Sequence, residues 1–104
     1  MIALAIALLL QREPLPAYAD ASRCAGLTIS HHRTIAQDRA STKAFDDSLY
    51  WSLVVGERAR KDRIPHSRFE RDMADATERA DKELAARAPA AVVDLARCAA
   101  RVPH

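Results

Sequence analysis

The chain has 104 residues, with 16 Lys and Arg against 14 Asp and Glu, a formal net charge of +2 and 29% charged residues. That balance argues against a strongly basic nucleic-acid binder, and the length suits one domain with a small core. Ala and Arg are abundant and β-branched residues few, which favours helix over strand, and two glycines, Gly26 and Gly56, are too few for a phosphate-cradling loop.

Residues 2–10, Ile-Ala-Leu-Ala-Ile-Ala-Leu-Leu-Leu, form an unbroken apolar run. Pro14 and Pro16 follow, then Ala17-Tyr18-Ala19. An apolar stretch ahead of a small-x-small site reads as a secretory signal, although Arg12 and Glu13 lie between the two parts and no Lys or Arg precedes the run. At ~1.5 Å per residue the run spans about 14 Å, under half of a ~30 Å hydrocarbon core, so no stable membrane span is expected. Residues 1–19 are therefore read as a signal peptide and 20–104 as a single helical domain, periplasmic or secreted. Arg23 precedes Cys24, where a lipid-attachment box needs a small residue.

Export gives the two cysteines, Cys24 and Cys98, a meaning. In an oxidising compartment an isolated even pair forms a disulfide. Closing a loop of about 75 residues contributes ~4.5 kcal/mol in the chain-entropy model. Whole small domains are stable by only ~5–15 kcal/mol, so the bridge would decide whether an Ala-rich core stays folded.

Four helices are readable in chain order. The first is expected from about Asp20, whose carboxylate suits a helix N-terminus. Thr28, Ser30 and Thr34 weaken it, so a break is expected near 28–33. Residues 37–43 read as a connector, with Ser41 or Thr42 as a cap. The second helix is expected over about 42–62, with Phe45, Leu49, Ser52 or Leu53, and Gly56 as its inward stripe. Tyr50, Trp51, Val54 and Val55 widen that stripe and make this helix the expected centre of the core. Ile64-Pro65 ends it.

The third helix is expected to open with a capping box, Ser67 as cap and Glu70 three residues on. Phe69, Met73, Ala76, Ala80 and Leu84 form its stripe. Asp75→Arg79, Glu78→Lys82 and Glu83→Arg87 are acid-before-base pairs. Pro89 suits the first turn of a fourth helix with Ala91, Leu95, Cys98 and Val102 inward. The expected fold is all-α: a small up-down bundle of about four helices, strapped by a disulfide between the first and last.

No constellation points to catalysis, and neither a metal nor any other cofactor is expected. His31 and His32 are adjacent, hence about 100° apart on a helix, and no HExxH or CxxC spacing exists. No GxSxG elbow is present, and paired acids such as Asp46-Asp47 lie among basic neighbours. A binding patch is legible instead. Arg58, Arg60, Lys61 and Arg63 cluster at the end of the second helix, close to Tyr50 and Trp51, and aromatics with Arg are typical of interface hot spots. The cations also complement the helix dipole. The expected partner is a protein or an anionic envelope component rather than a nucleic acid, and a homodimer would let so small a core bury more surface. The reading is of a small exported non-enzymatic binding protein. The alternative is an acid- or stress-responsive periplasmic chaperone or structural envelope factor, since histidines and carboxylates would change charge in acid.

Overall fold

The computed structural model of the chain describes residues 14–35 and 41–103. Within them lie four helices: α1 (Tyr18–Thr34), α2 (Ser41–Lys61), α3 (His66–Ala85) and α4 (Pro89–Ala100), with no strand among the described residues. The apolar run and Arg12 and Glu13 lie outside the described residues, as do residues 37–40 of the expected connector. No helix of the described residues is long and apolar enough to cross a membrane.

Side-chain partners fix the helix directions. Tyr18 bonds Asp72 and Ser30 bonds Asp81, so α1 and α3 run parallel. Cys24 joins Cys98 and Asp20 meets Arg101, so α4 runs against α1. His32 packs edge-on to Phe45, and Thr28 shares a cleft with Asp47, so α2 also runs against α1. The result is an up-down four-helix bundle, as the stripes predict.

Its centre is α1, not the expected α2. Helix α1 packs on α2, α3 and α4 alike, and Ala21, Cys24, Ala25, Leu27 and Thr28 on it are buried. The physical reason is side-chain size. A helix carrying Ala21, Ser22, Cys24, Ala25 and Gly26 lets neighbours approach its backbone, whereas bulky side chains on α2 hold them off. The closest approach is at Gly26, where an added Cβ would stand 2.6 Å from the Ala76 carbonyl oxygen and 2.7 Å from its carbon. Helices α1 and α3 are in near-backbone contact there.

The expected break in α1 does not occur, because the hydroxyls of Thr28, Ser30 and Thr34 are satisfied without disturbing the helix. Thr28 donates to the Cys24 carbonyl at 2.7 Å and Thr34 to the Ser30 carbonyl at 3.0 Å. Ser30 instead reaches Asp81 at 2.5 Å. The helix begins at Tyr18, before Asp20, with Ala17 at its cap position and no side-chain cap bond. Ala17-Tyr18-Ala19 thus forms the entrance to α1. Tyr18 and Leu15 pack against the core, and burial together with Asp72 raises the Tyr18 pKa.

The capping box at Ser67 is not formed. Helix α3 starts at His66 with Pro65 at the cap position, which puts Ser67 inside the first turn, where its hydroxyl cannot cap. His66 pairs with Glu70 instead, at 3.0 Å. Of the three expected acid–base pairs only Glu78–Lys82 forms, at 3.3 Å. Glu83 is taken by Arg23 of α1 at 2.6 Å and by Arg79 at 3.1 Å. The stripe of α3 is as expected, with Ala80 fully buried and Phe69, Met73 and Leu84 packed on the core. So is that of α4, with Ala91, Cys98 and Val102 buried and Pro89 in the first turn.

The Cys24–Cys98 disulfide ties α1 to α4, with Cα atoms 5.5 Å apart across 74 residues of sequence. Trp51 of α2 closes over it. The indole N–H donates to the Cys98 carbonyl at 2.9 Å, and the Arg101 guanidinium lies 4.9 Å from the ring centroid. One buried point therefore joins α1, α2 and α4.

Candidate functional site

Helix α2 is apolar on two sides, and only one of them is used. The buried side carries Ala44, Asp47, Ser48, Trp51, Val54, Val55 and Ala59. The stripe expected to face inward is the outward one: Phe45 is 49% exposed, Leu49 39% and Leu53 42%. Trp51, seated against the Cys98 carbonyl, and Val54 and Val55 are buried; Phe45 is edge-on to His32, and its row with Leu49 and Leu53 is left half-exposed. These three side chains recur every fourth residue, so they form one ridge along α2.

Toward the C-terminal end the ridge gives way to a depression. A Cβ added at Gly56 would meet nothing within 4 Å. Beyond it, Ala59, Arg60, Ile64, His66 and Phe69 line with Gly56 a groove of about 270 Å³. The chain makes this groove by turning back at a Schellman-type stop: the Ile64 N–H donates to the Ala59 carbonyl at 2.9 Å and the Arg63 N–H to the Arg60 carbonyl at 3.1 Å. Arg63 holds the left-handed position with φ 56°.

The cations expected to form a patch do share this end of α2. Arg58 bonds Asp62 at 3.1 Å, and Arg60 bonds Glu57. Lys61 and Arg63 are exposed and make no ion pair with any described residue. Because the backbone satisfies the last carbonyls of α2, these two charges are left to solvent. The aromatic pair is divided. Trp51 is 1% exposed and belongs to the core, while Tyr50 is half-buried, edge-on to it at 5.4 Å. What remains on the surface is an apolar ridge on α2, a groove between its end and the start of α3, and a basic end running from α2 into the connector. The ridge was missed in the sequence because Phe45, Leu49 and Leu53 outrank their neighbours in hydrophobicity. The signal that could have found it is the opposite row, where Trp51 and two valines sit between small residues.

A second cleft of about 300 Å³ lies among α1, α2 and α4, lined by Thr28, His31, Lys43 and Asp47 with Ala44, Leu95, Ala96 and Ala99. Two of its polar groups answer each other, Lys43 holding both Asp47 oxygens at 2.9 Å, and the Thr28 hydroxyl is committed to the Cys24 carbonyl. Among the described residues no group of three or more His, Cys, Asp or Glu is placed to hold a metal ion.

The seam between α1 and α3 carries the strongest charge coupling. Hydrogen bonding from Arg23 holds the Glu83 carboxyl below its ordinary range. Ser30 first, and Arg33 with it, does the same for Asp81. No family model, curated protein or solved structure matches the chain.

Proposed function

We propose that this is an exported, non-enzymatic helical protein that acts by binding another protein through the outer face of α2. One observation carries the reading: the ridge Phe45–Leu49–Leu53 stays half-exposed beside an open groove and the uncompensated cations Lys61 and Arg63. A folded domain leaves a contiguous apolar row exposed at a cost in solubility, and such rows mark interaction surfaces. The basic end favours a partner with acidic groups flanking its apolar anchors.

The test compares immobilised wild-type protein with Leu49→Lys and Lys61→Glu in an envelope extract. All three keep the core intact, which circular dichroism verifies. Envelope proteins held by the wild type and lost from Leu49→Lys support the reading, and identical retention by all three overturns it. Binding to phosphatidylglycerol vesicles that Lys61→Glu abolishes and Leu49→Lys spares would move the assignment to an anionic envelope component.

An acid-responsive envelope factor is the second reading. The observation favouring it is the α1–α3 seam, where Asp81 and Glu83 must stay ionised to hold Arg33 and Arg23.

A further inference from the structure

The ridge on α2 stops short of Gly56, where the groove between the end of α2 and the start of α3 begins. Counting outward from Leu53, Leu49 stands four residues toward the N-terminus, and Gly56 and Glu57 three and four toward the C-terminus. Phe45 stands eight residues away on one side, and Arg60 and Lys61 stand seven and eight away on the other. The N-terminal half of the face offers knobs and the C-terminal half offers holes.

We infer that the partner of this face is a second copy of the chain, docked antiparallel about a two-fold axis passing by Leu53. This rests on the reading of the outer face of α2 as the binding surface. In that arrangement Leu53 meets Leu53 of the other copy. Leu49 enters the space beside Gly56, where no atom stands within 4 Å of an added Cβ. Phe45 reaches the groove lined by Arg60, Ile64 and Phe69. This is the knobs-into-holes logic of paired helices, made self-complementary by symmetry.

Charge selects the same arrangement. Asp46, one residue from the ridge, is exposed and makes no ion pair with any described residue. Arg60 is exposed and touches only Glu57. Positions 46 and 60 lie seven residues either side of Leu53, so antiparallel docking puts Asp46 of each copy beside Arg60 of the other. Parallel docking would set Asp46 against Asp46 and the basic ends Arg60, Lys61 and Arg63 against each other, and like charges across an interface oppose association.

Sedimentation equilibrium of the disulfide-bonded chain across a wide concentration range tests this. The expected result is a reversible monomer–dimer equilibrium that Leu53→Asp abolishes by placing two carboxylates on the axis. Asp46→Arg and Arg60→Asp each weaken it roughly tenfold, and the double swap restores it to within about threefold of wild type. Leu53→Cys cross-links two copies on oxidation, whereas Val93→Cys, exposed on α4, does not. A wild type monomeric at every concentration overturns the dimer. So does a dimer that Leu53→Asp leaves intact. In either case the envelope-extract comparison with Leu49→Lys still decides separately whether the face binds another protein.

Discussion

The two glycines make opposite predictions for the same substitution. In Gly26→Ala the new methyl would stand 2.6 Å from the Ala76 carbonyl oxygen and 2.7 Å from its carbon. Ordinary carbon–oxygen contacts are about 3.3–3.6 Å, so α3 would have to move away by roughly 0.7–1 Å. The neighbour is backbone and cannot rotate aside. That movement would also stretch the Ser30–Asp81 and Arg23–Glu83 contacts along the same seam. Overpacking of this kind costs about 1–3 kcal/mol, while helix propensity returns about 1 kcal/mol on replacing Gly by Ala. The net expectation is a loss of up to about 2 kcal/mol, or a melting temperature lower by up to roughly 15 °C for a domain of this size. In Gly56→Ala the methyl meets nothing, so only propensity acts and stability rises by about 0.5–1 kcal/mol. Thermal denaturation of both variants against wild type is the assay. Gly26→Ala melting above the wild-type temperature, as propensity alone would give, would refute the close helix crossing. Gly56→Ala should at the same time weaken self-association, since its methyl fills the hole that receives Leu49.

Three further outcomes are expected. Replacing both cysteines, Cys24→Ala with Cys98→Ala, removes the closure of a 74-residue loop. The cost is about 4–5 kcal/mol, so with m near ~1.5 kcal/mol/M the urea midpoint falls by roughly 3 M, and reduction of the wild type reproduces the shift. In acid the α1–α3 seam loosens. Asp81 and Glu83 have folded-state pKa values below their ordinary ones, so their contribution is complete above the ordinary carboxylate range and is lost as pH falls through the depressed values, below about pH 4. Circular dichroism and dye binding between pH 7 and 3 follow this, and Asp81→Asn with Glu83→Gln removes the acid-dependent part. Arg63→Gly and Arg87→Gly relieve left-handed backbone at φ 56° and 52°, where each residue ends a helix. Each raises stability by about 0.5 kcal/mol, the steric relief being partly offset by the freer unfolded chain, as a thermal melt would register.

The helices, their order and the sulfur strap are legible because each rests on a local signal. Pro65 and Pro89 punctuate the chain, and Phe69 to Leu84 and Ala91 to Val102 repeat at helical spacing. The choice of face on α2 is not local. Phe45, Leu49 and Leu53 make as good an inward stripe as Trp51, Val54 and Val55 until the long-range contact of Trp51 with Cys98 is known. The centrality of α1 is hidden for a related reason. Hydrophobicity favours α2, whereas packing rewards the small residues Ala21 to Gly26 that let three helices meet. The fate of Glu83 illustrates a third limit: helical spacing offers it Arg87, but a long-range partner, Arg23, lies nearer. The basic end was legible as composition, and which of its charges stay uncompensated became clear only with the helix stop at Arg63 and Ile64.

The proposal of an exported binding protein needs two things beyond the Cys24–Cys98 bond, passage of the chain out of the cytosol and loss of residues 1–19. Intact-mass spectrometry under non-reducing conditions, on protein recovered from its native cell, tests that directly. The expected mass is that of residues 20–104 less two hydrogens. Both thiols found reduced would contradict the strap, and a mass retaining residues 1–19 would contradict processing on export.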